Sequence, residues 1–132
     1  MNGIKFVLDT NIIIGLLNQN PAVITLLTQK QVTITQCAFS AITRMELLSY
    51  HGLQDSDKHT ITSLLKRMDH LPITTAIEDA TIAFRQQHKG KLPDAIIAAT
   101  ALHHQLELLS LDTRLANKLW VRHRLHRYEY EQ

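Results

Sequence analysis

Residues 4–14 read Ile4-Lys5-Phe6-Val7-Leu8-Asp9-Thr10-Asn11-Ile12-Ile13-Ile14, and this stretch decides the fold. Ile4, Phe6, Val7 and Leu8 form an apolar run broken only by Lys5, the pattern of a buried strand in a parallel sheet. The run stops at Asp9-Thr10-Asn11, and a second apolar run begins at once. A carboxylate at the end of a buried strand is costly unless something pairs with it. In open α/β sheets, ligands bind at the carboxyl ends of the strands. A cation is the natural partner for Asp9, and the rest of the chain must say whether other acids can join it.

The chain has 132 residues, which fits a single domain spanning 1–132, because two would each approach the size at which a core is marginal. A hydrophobic content of 45% is that of a folded globule and argues against disorder. A net charge of +2 permits a nucleic-acid partner without requiring one. Basic residues crowd the C-terminal end, where Lys118, Arg122, Arg124 and Arg127 stand with His123 and His126. Such a group is either a phosphate-attracting patch or an ordinary solvated surface. The single cysteine, Cys37, excludes an internal disulfide and suits a reducing cytoplasm; among apolar neighbours it reads as core filler. No apolar run approaches the ~20 residues of a membrane span, so no membrane association is expected. The N-terminus lacks the pattern of a signal peptide, and the expected location is cytoplasmic.

Along the chain, Thr10 or Asn11 can cap a short helix carrying Ile12, Ile13, Leu16 and Leu17. Asn20-Pro21 starts a second one. Residues 32–37 alternate in polarity and are rich in β-branched side chains, which predicts a strand. Ser40 opens a helix to about Tyr50, and Asp55 or Ser56 caps the next, with Ile61, Leu64, Leu65 and Met68 at helical spacing. Leu71-Pro72-Ile73 suits only an edge strand. A helix from Thr75 to Gly90, another from Pro93 to about His104, and a strand through Leu108, Leu109 and Ser110 complete the pattern. Strands alternating with helices predict a parallel sheet flanked by helices. The tail, about 119–132, fits neither helical nor strand periodicity.

Four acids, Asp9, Glu46, Asp94 and Asp112, each fall at a strand-to-helix junction or early in a helix. Each alone could be a cap or a favourable charge at a helix start. Two details argue otherwise. A capping box from Thr43 to Glu46 would leave Ala41 and Ile42 outside the helix, so Ser40 is the better cap and Glu46 lies well inside. Asp94 is the only charged group between Leu92 and Leu102, on a helix otherwise composed for burial. Carboxylates brought together in a buried place repel one another, and a hard divalent cation such as Mg²⁺ or Mn²⁺ offsets that repulsion.

The pattern resembles the PIN-domain ribonucleases, and especially the VapC-type toxins of bacterial toxin–antitoxin pairs. The matching pieces are Phe6-Val7-Leu8-Asp9-Thr10-Asn11, Ser40-Ala41-Ile42-Thr43-Arg44-Met45-Glu46-Leu47, Leu92-Pro93-Asp94-Ala95-Ile96-Ile97-Ala98-Ala99-Thr100-Ala101 and Leu109-Ser110-Leu111-Asp112. They run from about Lys5 to Asp112, and the basic, aromatic tail departs from the pattern. The resemblance implies a three-layer α/β/α domain with a central, mostly parallel sheet, and metal-dependent cleavage of RNA. It implies Asp9, Glu46 and Asp94 as the principal acidic ligands of Mg²⁺, or of Mn²⁺ as a substitute, with Asp112 completing the site. Thr10, Asn11 and Ser40 would orient ligands or water around them. It also implies a homodimer and a cognate antitoxin as partners.

Other functions fit the same residues less well. The histidine pairs His103-His104 and His123 with His126 lack the further ligands a zinc site needs, and read as surface. An aspartyl-nucleophile phosphatase typically carries a second Asp two residues after the strand-end Asp, where this chain has Asn11. An inert module that only binds RNA or protein has no use for four acids facing a polyanion. A housekeeping RNA-processing nuclease shares all the chemistry and differs only in biological role.

Overall fold

The computed structural model describes residues 3–112. The basic C-terminal group, the tail, and the segment that Asp112 would cap lie outside the described residues. Strand β1 (Phe6–Leu8) leads into α1 (Thr10–Leu17) and α2 (Pro21–Gln29), then β2 (Cys37–Ser40), α3 (Ala41–Leu48) and α4 (Asp55–Leu65). Strand β3 (Asp69–Leu71), helices α5 (Thr75–Gln87) and α6 (Leu92–His104), and strand β4 (Glu107–Leu109) follow.

The four strands form one sheet in the order β3-β2-β1-β4, every neighbouring pair parallel. Alternation along β1 sorts the core into two halves. Phe6 and Leu8, with Cys37, Phe39 and Leu109, pack under Ile12, Ile13, Val23, Leu27, Leu47, Ile61 and Leu65 of α1–α4. Val7, with Ala38, Leu71 and Leu108, faces Phe84 of α5 and Ala95, Ile97, Ala98 and Ala101 of α6. A sheet covered on both faces makes the expected three-layer α/β/α architecture. The chain winds outward from β1 to β2 and β3, then returns across the sheet to β4 on the other side. The carboxyl end of β1 is therefore the point where the winding reverses, and Asp9 stands there.

Several boundaries differ from the sequence reading, each for a local reason. Asp9 itself, not Thr10 or Asn11, caps α1: its Oδ1 accepts the Thr10 N–H at 2.7 Å, and its carbonyl accepts the Ile12 N–H at 3.0 Å. Residues 34–36 curl into a 3₁₀ turn held by Gln36, whose Oε1 accepts the Thr33 N–H at 3.2 Å. The strand expected over 32–37 is accordingly displaced to Cys37–Ser40. Gln54 precedes α4, its N–H donating to the Asp57 carboxylate at 3.0 Å, so neither Asp55 nor Ser56 is the cap. Met68 lies past the end of α4 yet is buried. Helix α5 stops at Gln87, short of Gly90. The edge position of β3, followed by Pro72, and the buried character of α6 agree with expectation. Cys37 is fully buried, with its thiol donating to the Thr33 carbonyl and burial pushing it up to about 11.

Candidate active site

Three chain segments meet at the carboxyl end of β1. The first is Asp9 and the start of α1. Asp9 keeps the sheet ladder going by donating its N–H to the Leu109 carbonyl at 2.9 Å, and it is only 5% exposed. The backbone thus holds the carboxylate at the sheet edge while α1 turns away beneath it.

The second segment is α3. Ser40 caps it, its Oγ accepting the Ile42 N–H at 3.2 Å, and this places Glu46 inside the helix as the sequence predicted. Ser40 is buried at the start of the helix that carries Glu46. The Thr10 hydroxyl donates to Glu46 Oε1 at 2.8 Å. With its one proton committed there, Thr10 Oγ1 accepts from the Thr43 hydroxyl at 3.0 Å. Thr43 has no exposed surface, and its place in the sequence suggests only a helix cap, which Ser40 supplies instead. Its spacing of three from Glu46 puts both on one helix face, which is the signal that could have found it.

The third segment follows β4. Ser110 donates its hydroxyl to Asp9 Oδ2 at 2.6 Å, a short charge-assisted bond, and accepts the Asp112 N–H at 2.9 Å. Asn11 reaches the same loop, its Nδ2 donating to Ser110 Oγ at 3.4 Å and its Oδ1 accepting the Leu111 N–H at 3.1 Å. Asp112 is tied to the site through its backbone and Ser110. Ser110, which the sequence marks only as part of a motif, is the hub of this loop.

Asp94 enters from the first turn of α6, half-buried. Burial is the main cause that raises the Asp9 carboxyl above the ordinary range; the hydrogen bonds from Ser110 and the Thr10 backbone pull it down, and the charges of Asp94 and Glu46 push it up again. Among the described residues, Asp9 has only neutral donors as hydrogen-bond partners. Asp9 is therefore within reach of the negative charges of both Glu46 and Asp94, and no cation from the described residues is bonded to Asp9. An all-oxygen set of carboxylates and hydroxyls with unbalanced negative charge is the donor chemistry of a hard divalent cation. Among the described residues, no three His, Cys, Asp or Glu side chains converge tightly enough to be a ready-made cage.

A family profile described as PIN domain matches residues 6–119, and the chain belongs to the PIN-domain family, whose members are in general metal-using nucleases. Its fold recurs in a chain of a toxin–antitoxin complex from Klebsiella pneumoniae, with 33% identity, a TM-score of 0.71, and coverage of 83% of this chain and 88% of that one. It recurs in VapBC2 from Rickettsia felis bound to a DNA fragment from its promoter, at 17% identity and a TM-score of 0.71, covering 86% and 92%. It recurs again in FitAcB from Neisseria gonorrhoeae, at 23% identity and a TM-score of 0.67, covering 86% and 92%. No curated protein matches the chain. The resemblance to VapC-type PIN domains read from the motifs is thereby borne out. No single helix among the described residues is long and apolar enough to cross a membrane.

Proposed function

We propose that this chain is the toxin of a toxin–antitoxin pair, a Mg²⁺-dependent endoribonuclease that accepts Mn²⁺ as a substitute. Asp9, Glu46 and Asp94 would hold the cation and Asp112 would complete the set. The observation that carries this reading is Asp9: a carboxylate 5% exposed, bonded only to neutral donors among the described residues, and pressed by two other acids. Leaving it so would cost several kcal/mol without a counter-charge.

A bound divalent ion supplies polarisation of the scissile phosphate and a water ionised near neutral pH. The chain's own residues do the arranging. Thr10 fixes the Glu46 carboxylate, Ser110 fixes that of Asp9, and Asn11 pins the Ser110 loop to α1. Ser40 and Thr43 set the rotation of α3 and so the direction of Glu46. Such supporting bonds typically carry 10–100-fold of metal affinity or activity.

The neighbours in VapBC and FitAB complexes support a cognate antitoxin as partner, and the same reading carries a homodimer acting on RNA in the cytoplasm. The test is cleavage of RNA by the purified chain with Mg²⁺ or Mn²⁺, with EDTA and the Asp9→Asn variant as controls. Cleavage that survives both controls overturns the assigned site. Expression in a bacterial host should arrest growth, and Asp94→Asn should relieve the arrest. An active nuclease that is harmless on expression would instead favour the housekeeping role.

A further inference from the structure

An open groove of about 590 Å³ lies between the end of α5 and the start of α6. Its walls include Ile82, Arg85, His88, Lys89, Gly90 and Leu92. Between Asp79 and Asp94 the chain has no acid, yet it carries Arg85, His88, Lys89 and Lys91. Arg85, Lys89 and Lys91 are exposed and have no ion-pair partner among the described residues, where the salt bridge present joins Lys30 to Glu107 elsewhere. Arg85 and Lys89 in the walls, with Lys91 between the wall residues Gly90 and Leu92, make this a surface for a polyanion.

The walls add more than charge. The His88 ring packs on Phe84 with centroids 4.5 Å apart, so it is a held planar face, and the Arg85 guanidinium is a second. Ile82 and Leu92, 57% and 49% exposed, supply apolar flanks. Gly90 leaves the floor open, since a Cβ there would meet nothing within 4 Å. Planar cationic and imidazole faces stack on unpaired bases while cations track the backbone, which is how single strands are held. Leu92 in its wall and Asp94 in the site share the first turn of α6, ~3 Å apart along the axis but on different sides of it, so a strand leaving the acids crosses the start of that helix to enter the groove.

We propose that this groove is a track for single-stranded RNA running away from the cleavage point, with Arg85, Lys89 and Lys91 as positioning residues for its phosphates. The inference rests on the reading of the chain as an RNA-cleaving enzyme, and it names the surface that takes the substrate. An acidic polypeptide is the rival occupant. The planar side chains in its wall favour RNA, because an acidic polypeptide has no bases to stack on them.

The test compares the wild type with two triple variants of equal charge change: Arg85→Gln/Lys89→Gln/Lys91→Gln in the groove, and Lys58→Gln/Lys66→Gln/Arg67→Gln in and after α4. Binding of a labelled single-stranded RNA is measured in EDTA across a series of salt concentrations, so that cleavage plays no part. The slope of log K against log salt should fall by about 2 in the groove variant, three contacts at ~0.7 each, and stay unchanged in the α4 variant. With Mn²⁺ present, the groove variant should raise KM for a long RNA about tenfold at low salt, in line with the loss of a few phosphate contacts, and leave kcat as it was. Equal slopes in the two variants overturn the proposal. So does an oligoglutamate peptide whose binding needs Arg85, Lys89 and Lys91 when RNA binding does not. A wild type that binds RNA through the groove but cleaves none would sink the nuclease reading while leaving the groove assignment standing.

Discussion

Ser110→Ala is the most informative single change near the candidate site. It removes the 2.6 Å bond to Asp9 Oδ2, takes away the acceptor of the Asp112 N–H, and ends a long contact with Asn11. The Asn11 contact, at 3.4 Å, contributes little. The Asp112 N–H can turn to water, because its loop is only half-buried. What remains is a hydroxyl–carboxylate bond, worth ~1.5–3 kcal/mol because its acceptor is charged. That bond is one of two that hold the Asp9 carboxyl down against burial, so its loss makes ionisation of Asp9 harder. The expected result is a 10–100-fold rise in the Mn²⁺ concentration giving half-maximal RNA cleavage. The acid limb of the pH–rate profile should also move to higher pH, whereas Ser110→Thr, which keeps a hydroxyl, should restore both. Cleavage assayed over a metal series at several pH values reads all of this. An unchanged metal requirement in Ser110→Ala, with the fold intact by circular dichroism, would refute the reasoning.

Asp9→Asn should abolish cleavage yet stabilise the metal-free protein. The carboxyl of Asp9 is raised on folding, so its contribution to stability is whole below its unfolded value of 3.8 and is lost as pH rises through the folded value. The gain in melting temperature from Asp9→Asn should therefore grow from acid towards neutral pH, and Mg²⁺ should narrow it by stabilising only the wild type. Gly15→Ala should destabilise by about 2 kcal/mol in urea titration, because the new Cβ would sit 2.3 Å from Val23 Cγ2, in a fully buried β-branched neighbour that cannot swing aside. A neutral result would mean that α1 and α2 can part without cost. Cys37 should resist thiol reagents in the native state at pH 8. Its folded value of about 11 against an ordinary 9.0 means stability present below pH 9 is lost between 9 and 11, which thermal melts across that range would detect.

What could be read from the sequence and what could not divide along physical lines. The end of β1 was legible because an apolar run that stops dead at an acid fits a buried strand reaching the edge of its sheet and little else. Helix α6 was legible because its small and branched residues suit a helix buried on most sides. Ser40 was legible as a cap because moving the helix start to Thr43 stranded two good helical positions. The strand over 32–37 was misplaced because Val32, Thr33, Ile34 and Thr35 alternate like a strand, while the Gln36 side chain closing back on Thr33 N–H bends the chain first. The strand itself, Cys-Ala-Phe-Ser, carries weak β propensity and is held by its two neighbours. Ser110 and Thr43 were not singled out because a lone hydroxyl has no pattern of its own. Their roles come from contacts 101 and 33 residues away in the chain.

Direct titration of Mn²⁺ into the metal-free protein, followed by calorimetry, asks whether acids from separate segments act on one ion. Wild type should bind with measurable heat, and Asp9→Asn, Glu46→Gln and Asp94→Asn should each weaken that same binding event. Binding that is indifferent to all three substitutions, or that depends on one acid alone, would contradict the account.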